Sequence, residues 1–162
     1  MKGVIAFDSY FGNTRAVAEA MREEIERAGH QVAMLNLRVS REVPSEGGFL
    51  MVGSPTRFKK MTRPSKRLVK KLDVGAWGAK PIAVFDTYAP YRGDDPKKRE
   101  SSRKWVEPGA AGFLAALAEK RGLKVRSPCL RCSVKDMKGP LDEGELDRAR
   151  EYARQFAASL GE

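Results

Sequence analysis

The seven residues Asp8-Ser9-Tyr10-Phe11-Gly12-Asn13-Thr14 carry the groups from which phosphate-binding loops are built. An anion at a helix start is bound by backbone N–H groups and short hydroxyl side chains, and a glycine lets the chain turn tightly around it. Ser9, Gly12, Asn13 and Thr14 are of these types and stand directly before a segment of helical periodicity. The same residues also suit a plain helix start, with Asn13 as the N-cap and Gly12 in the turn. On their own they leave both readings open.

Two later segments combine a stiff turn with aromatic side chains. One reads Gly-Ser-Pro-Thr-Arg-Phe from Gly53 to Phe58, where the proline restricts the backbone and the phenylalanine offers a flat apolar surface. The other, 86–95, contains Tyr88 and Tyr91 in a polar stretch. A planar ligand needs a partly apolar wall and backbone donors for its ring atoms, and both segments supply them. A simple turn with an exposed arginine and a packed phenylalanine is the alternative for the first segment.

The elements that must position these loops alternate along the chain. Short apolar runs predict strands at 3–7, 31–37, 49–53 and 81–85, with a weaker fifth strand at 123–125. Apolar residues that recur at steps of three and four predict helices from about 13 to 28, 63 to 72, 105 to 120 and 143 to 160. Strands that alternate with helices indicate a parallel sheet with right-handed crossovers.

This order of elements predicts a single α/β domain over residues 1–162, built as a three-layer, doubly wound, five-stranded parallel sheet. Five strands of this length fit the order 2-1-3-4-5, in which ligands bind off the carboxyl ends of strands one and three. The loops at that edge of the sheet are 8–13, 54–62, 86–104 and 127–140. The segments with candidate chemistry therefore belong to one edge.

The first loop also carries a family resemblance. Ser-Tyr-Phe-Gly-Asn-Thr, directly after the first strand, resembles the phosphate loop of the flavodoxins, which usually reads Thr/Ser-x-Thr-Gly-x-Thr. The resemblance implies that the loop wraps the terminal phosphate of FMN, with the Ser9 and Thr14 hydroxyls and the amides from Phe11 to Thr14 as donors. Phe11 departs from the pattern, because the family has a hydroxyl at that position.

The other two loops extend the resemblance. Gly-Ser-Pro-Thr-Arg-Phe is similar to the corresponding loop of the flavodoxin-like NAD(P)H:quinone oxidoreductases, although lysines follow it here in place of glycine. The flavodoxin loop after strand four commonly stacks an aromatic residue on the flavin ring. The implied FMN-binding residues are Ser9, Tyr10, Phe11, Gly12, Asn13 and Thr14 in the first loop, Pro55, Thr56, Arg57 and Phe58 in the second, and Thr87, Tyr88, Ala89 and Tyr91 in the third.

Composition excludes several other classes of protein. The longest comparable apolar run, Ala110 to Ala118, is half of the roughly 18 residues that a membrane span needs. The amino-terminal apolar run ends at Asp8 without a cleavage site of small residues, so we expect no signal peptide and a cytoplasmic protein. One histidine and two cysteines cannot assemble a four-ligand Cys/His zinc site within the chain, and they give little support to catalysis by a Ser-His or Cys-His pair.

The two cysteines form a Cys129-Leu-Arg-Cys132 motif late in the chain. In a thioredoxin-type site, such a motif begins a helix after a strand near the amino terminus. Here it follows Pro128 in a segment that we expect to be irregular. A reactive dithiol near a flavin, two plain loop cysteines, and half of a metal site shared between subunits all remain open.

The positive charge is concentrated. The chain has 31 Lys and Arg against 21 Asp and Glu, a formal net charge of +10. Between Arg57 and Lys71 eight residues are basic and none is acidic, and the segment 92–104 adds six more basic residues. Both stretches belong to the predicted flavin side of the sheet. They suit an acidic redox protein or the phosphates of NAD(P)H, whereas the absence of interleaved aromatic residues argues against nucleic acid. A generally cationic surface in a protein adapted to its cell is the alternative.

The sequence therefore predicts an FMN-binding, flavodoxin-like redox protein that transfers electrons between a donor and an acceptor. An NAD(P)H-dependent quinone or flavin reductase is the alternative within the oxidoreductases. A flavin-free binding module that uses its basic face is the alternative outside them. Carrier and enzyme remain open, and so do the partner, the reduction potential and the oligomeric state.

Overall fold

Five parallel strands form the centre of the molecule. The computed structural model describes residues 1–161. The strands are β1 (Lys2–Phe7), β2 (Gln31–Asn36), β3 (Phe49–Pro55), β4 (Ile82–Tyr88) and β5 (Leu130–Ser133). They hydrogen-bond in the order β2-β1-β3-β4-β5, with every neighbouring pair parallel. The predicted doubly wound sheet and its strand order are confirmed.

Helices cover both faces of the sheet. They are α1 (Asn13–Arg27), α2 (Arg63–Lys71), α3 (Val74–Trp77), α4 (Pro96–Val106), α5 (Gly109–Lys120) and α6 (Glu145–Ser159). Apolar residues of α1 and α6 pack with Ile5, Phe49 and Phe85 on one face. Those of α2 and α5 pack with Leu50 and Val84 on the other. Because both faces are covered, the middle strands are apolar at nearly every position rather than at alternate ones.

The fifth strand does not lie at 123–125, where the sequence predicted it. Val125 forms one isolated parallel bridge with Ile82, and the strand proper begins only at Leu130, paired with Phe85. Pro128 stands between the two pairings and has no N–H group to contribute to the ladder. The edge strand is therefore interrupted, and its regular part starts after the proline.

The predicted helix at 105–120 is in fact two helices. Pro108 separates α4 from α5, because a proline within a helix removes a hydrogen bond and clashes with the preceding turn. The stretch 86–104, predicted as a long loop, holds the end of β4 and most of α4. Asp95 starts α4 by accepting hydrogen bonds from the amides of Lys97 (2.9 Å) and Lys98 (3.4 Å).

Within residues 1–161, no helix is both long enough and apolar enough to cross a membrane. The largest buried side chain is that of Trp77, at the end of α3. Its indole N–H donates to the Pro44 carbonyl oxygen at 2.9 Å, so the ring is both packed and hydrogen-bonded.

We predict that Gly53→Ala destabilises the protein by about 1–3 kcal/mol, because a methyl group at this position in β3 would lie 2.2 Å from the Phe85 ring. Gly75→Ala is the matched control, since its new methyl group would contact Asp73 at an ordinary 3.5 Å. Urea unfolding of both variants and the parent measures the difference. A Gly53→Ala protein as stable as Gly75→Ala would contradict the close packing of the Phe85 ring against Gly53.

Candidate functional site

A cleft opens at the carboxyl ends of β1, β3 and β4, between the loops that follow them. It contains about 440 Å³ of space outside the protein atoms, part of which is open to solvent. Eleven of the fourteen residues singled out in the sequence line it: Ser9, Tyr10, Phe11, Asn13, Thr14, Pro55, Thr56, Arg57, Thr87, Tyr88 and Ala89. Three loops that are distant in sequence therefore meet in one concave surface.

The first loop is curled around the Ser9 hydroxyl. This oxygen accepts hydrogen bonds from the amides of Gly12 (3.1 Å) and Arg15 (3.4 Å). Gly12 is the N-cap of α1 and has a φ of 90°, a conformation that favours glycine. Asn13 is not the N-cap, because it is the first helical residue and its side-chain amide donates to the Lys138 carbonyl oxygen at 3.1 Å.

The start of α1 is left without a side-chain cap. The capping residue, Gly12, has no side chain to accept from the first turn, and Ser9 accepts there from the Arg15 amide at 3.4 Å. The first turn also contains no acidic residue. The first amides of a helix have no partner within the helix, and they present partial positive charge. The amides of Asn13 and Thr14, two residues that line the cleft, therefore remain available to an anion.

A hydroxyl pair joins the first and third loops. The Thr14 and Thr87 hydroxyl oxygens are 2.9 Å apart, and both residues are buried. Since a hydroxyl both donates and accepts, one proton of the pair remains free to donate elsewhere. This bond fixes the helix start against the end of β4 across the floor of the cleft.

Asp8, fully buried at the end of β1, is held by groups from two other elements. Arg38, after β2, donates to its two carboxylate oxygens at 2.9 and 2.7 Å. The Thr62 hydroxyl, just before α2, donates to one of the same oxygens. Such a forked pair is among the strongest hydrogen-bonding arrangements in proteins.

Asp86, which lies in β4, is also held by groups from other elements. The Arg131 Nε donates to its two oxygens at 3.0 and 2.9 Å, the Thr56 hydroxyl donates at 3.1 Å, and the Ala111 amide at the start of α5 donates at 2.9 Å. Burial nevertheless raises the pKa of Asp86 above its ordinary value, although Arg131 and the hydrogen bonds oppose the shift. The carboxylate therefore depends on Arg131 for its charge.

The arginines of these pairs also support the aromatic side chains of the cleft. The Arg38 guanidinium lies over the Tyr10 ring, 4.1 Å from its centroid, and Arg57 lies 4.7 Å from the same centroid. Arg131 lies over the Tyr88 ring at 4.1 Å. Cation–π contacts of this geometry are attractive, and they fix both rings next to the cleft.

Three of the predicted residues do not line the cleft. Gly12 contributes only the turn at the N-cap of α1. Phe58 is 74% exposed and turns away towards the Trp105 ring, so it is not the wall that the sequence suggested. Tyr91 lies against Gly93, further along the third loop.

Val134 and Met137 line the cleft and were not found in the sequence. Both follow β5 and lie in the segment 127–140, which the sequence placed at this edge of the sheet without assigning any of its residues to the site. The Val134 amide donates to the Tyr88 carbonyl oxygen at 2.9 Å and brings the segment to the end of β4. The predicted place of that segment at the same edge was the signal that could have identified them.

The two cysteines lie on opposite faces of the sheet. Cys132, in β5, is fully buried with the α1 and α6 side chains, whereas Cys129 packs with the residues of α2 and α5. Burial raises the pKa of the Cys129 thiol and raises that of Cys132 to about 12. A reactive dithiol is therefore wrong for this motif, and so is its placement wholly in an irregular segment.

Comparison with solved structures identifies the architecture. A flavodoxin from the domain Archaea superimposes with a TM-score of 0.75 at 23% identity, over 100% of both chains. Flavodoxin 1 from Bacillus cereus does so with a TM-score of 0.73 at 15% identity, over 98% of both chains. The chain has a flavodoxin-like fold. A flavodoxin, WrbA-like protein from Agrobacterium tumefaciens matches with a TM-score of 0.65 at 18% identity, covering 99% of this chain and 97% of that one.

No family model and no curated protein matches the sequence. In a flavodoxin-like fold the chain reverses its direction along the sheet between β1 and β3, and ligands of doubly wound sheets bind beyond the carboxyl ends of the strands at that point. The cleft between Asn13 and Pro55 lies there. The cleft therefore lies where ligands of doubly wound sheets bind, and its lining residues are of types that can bind a ligand.

We predict that Arg131→Gln costs about 3–5 kcal/mol of stability at pH 7, because it leaves the buried Asp86 carboxylate without its cation. Removing the arginine raises the pKa of Asp86 further. A carboxyl whose folded pKa is raised stabilises the fold below its unfolded pKa and loses that contribution as pH increases. The loss relative to the parent should therefore be small near pH 4 and increase towards pH 7.

Urea unfolding at both pH values measures this change. Arg150→Gln is the control, since its ion pair with the exposed Asp147 is at the surface and contributes at most about 1 kcal/mol. Equal losses for Arg131→Gln at pH 4 and pH 7 would refute the role assigned to the pair.

Proposed function

We propose that this chain binds FMN in the cleft and transfers electrons between a donor and an acceptor. The observation that carries the proposal is the composition of the cleft at the β1–β3 reversal. Its first-loop side offers hydroxyls and the uncapped start of α1, and its other side offers Pro55 and Tyr88. A phosphate suits the former and a planar ring suits the latter.

The residues present fit FMN in their chemistry. Thr14 and the first amides of α1 would hold the phosphate, with Ser9 keeping the loop in shape. Tyr10 and Tyr88, each fixed under an arginine, would flank the ring. Bound FMN supplies the capacity to accept and release one or two electrons. The chain's own residues bind it, orient it and set the charge around it.

Charge around the cleft is divided between paired and unpaired groups. Arg38 and Arg131 are each neutralised by a buried aspartate. Among the lining residues, Arg57 is the one charged side chain, and within residues 1–161 it forms no ion pair. The net field in the cleft is therefore positive, which favours the electron-rich reduced form of the cofactor.

A second candidate is an NAD(P)H-dependent quinone or flavin reductase. The resemblance of the Thr56-Arg57-Phe58 loop to the NAD(P)H:quinone oxidoreductases supports it, and Arg57 at the cleft suits a nucleotide phosphate. Steady-state oxidation of NADPH with a quinone distinguishes the two. Turnover identifies a reductase, and its absence from protein loaded with FMN identifies a carrier that needs a protein donor.

For the electron carrier, we propose an acidic redox protein as the partner.

We predict that Thr14→Val lowers the affinity for FMN by roughly 10- to 100-fold, since a hydrogen bond to a charged group contributes about 1.5–3 kcal/mol. Its affinity for riboflavin, which has no phosphate, should remain unchanged. Thr87→Val is the matched control, because it breaks the same 2.9 Å contact but keeps the Thr14 hydroxyl. Fluorescence titration of the flavin-free parent and of both variants measures these affinities.

The proposal fails if the parent protein purifies without flavin and cannot be reconstituted with FMN. That outcome would favour a flavin-free binding module that uses its basic face. If FMN and riboflavin bind with equal affinity, the first loop does not hold the phosphate.

We also predict that Arg57→Gln makes the reduction potential of bound FMN more negative, because it removes the unpaired positive charge at the cleft. Lys70→Gln, at the far end of α2, is the control for net charge and should leave the potential nearly unchanged. Redox titration followed by flavin absorbance gives both values. A potential that rises in Arg57→Gln would contradict the electrostatic assignment.

A further inference from the structure

Helix α4 contributes no buried side chain to the protein. None of its residues from Pro96 to Val106 is buried, although the helix is eleven residues long. A helix without an apolar face against the core gains little from tertiary packing. Two contacts near its end attach it: the Trp105 carbonyl accepts from the Lys59 amide at 2.7 Å, and the Val106 carbonyl accepts from Arg131 at 2.7 Å. The outer surface of α4 is therefore free.

The turn to which α4 is attached has an unusual backbone. Phe58 and Lys59 have φ angles of 49° and 62°, in the left-handed region that favours glycine. Arg57 and Lys60 pair across the turn as an antiparallel bridge. Glycine would relieve the backbone at both positions, yet a phenylalanine and a lysine occupy them. Strained positions that keep a large side chain point to a role for that side chain.

The turn and the helix together present an aromatic pair to solvent. The rings of Phe58 and Trp105 pack edge to face with centroids 5.9 Å apart. They are nevertheless 74% and 59% exposed. The backbone bond from Lys59 to Trp105 holds them together. Exposed, preorganised aromatic pairs of this kind are typical centres of protein interfaces.

Positive charge surrounds this pair. The turn 57–60 and helix α4 contain eight Lys and Arg and one acidic residue, Glu100, which gives +7 in fifteen residues of a chain whose net charge is +10. Arg57 belongs both to this surface and to the cleft. The surface therefore adjoins the site where we place the cofactor, and its charge is complementary to an acidic partner.

We propose that the 57–60 turn and helix α4 form the docking surface for an acidic redox protein, with Phe58 and Trp105 at its centre. The inference rests on the proposed function, whose donor or acceptor it characterises. A protein partner is favoured over nucleic acid because the surface lies at the rim of the cleft, where Arg57 belongs to both, so that a docked redox protein would lie next to the proposed cofactor site.

The first test separates the Phe58 ring from the strain that holds it. Phe58→Gly removes the ring and relieves the backbone, whereas Lys59→Gly relieves the backbone and keeps the ring. We expect both variants to unfold at temperatures equal to or above that of the parent. Binding of an acidic [2Fe–2S] ferredoxin, measured by calorimetry, should weaken at least fivefold in Phe58→Gly and less than threefold in Lys59→Gly. Equal affinities in the two variants would refute the role of the ring.

The second test concerns the charge of α4. The triple variant Lys97→Gln/Lys98→Gln/Lys104→Gln and the control Lys70→Gln/Lys120→Gln/Lys124→Gln lose the same charge from exposed positions. The first should weaken ferredoxin binding at least tenfold and reduce its dependence on salt, and the second less than twofold. Equal weakening would show that net charge alone attracts the ferredoxin, and the docking surface would be rejected.

The titrations use FMN-free and FMN-loaded protein in parallel, so docking is measured even if flavin binding fails. A basic cytochrome c, which should not bind, tests the sign of the charge. No ferredoxin binding to either form of the protein overturns the inference without affecting the proposal on FMN. A single-stranded oligonucleotide that binds more tightly than ferredoxin, and loses affinity in Phe58→Gly, would assign the surface to nucleic acid instead.

Discussion

The cleft depends on two buried carboxylates, one at the end of β1 and one near the end of β4, the two strands that flank β3. Asp8 ties the end of β1 to Arg38 and Thr62, and Asp86 ties the end of β4 to Arg131 and the start of α5. A carboxylate without solvent is stable only with a cation and hydrogen-bond donors around it. Each aspartate therefore fixes the positions of several elements at once, and the loops of the cleft are attached to those elements.

This arrangement also divides the arginines by function. Arg38 and Arg131 have a structural role. Their charges are paired with the aspartates, and their guanidinium groups pack on the rings of Tyr10 and Tyr88. Arg57, one residue beyond the hydrogen-bonded Thr56, has no such carboxylate within residues 1–161. Arginines that look alike in the sequence thus stabilise the fold at some positions and set the electrostatic potential of the cleft at another.

The strand order and most of the cleft could be predicted because they follow from local patterns. Apolar runs and helical periodicity determine which segments are buried, and the topology then brings the three loops together. The position of β5 could not be predicted, because Val125 is as apolar as Leu130 and only pairing with β4 distinguishes them. Phe58 was assigned to the cleft because nothing in the sequence indicated its left-handed backbone, which turns the ring outward. Such a backbone is usually marked by a glycine, and here the residue is a phenylalanine.

Helix α4 escaped prediction for a different reason. With no buried side chain it has no apolar periodicity, and only Asp95 followed by Pro96 indicates its start. The same absence has a consequence for its composition. Since the core places no demand on these residues, the basic side chains and the exposed Trp105 are not required by folding. Their concentration beside the cleft is then best explained by a demand from outside the fold, namely the charge of the molecule that approaches the site.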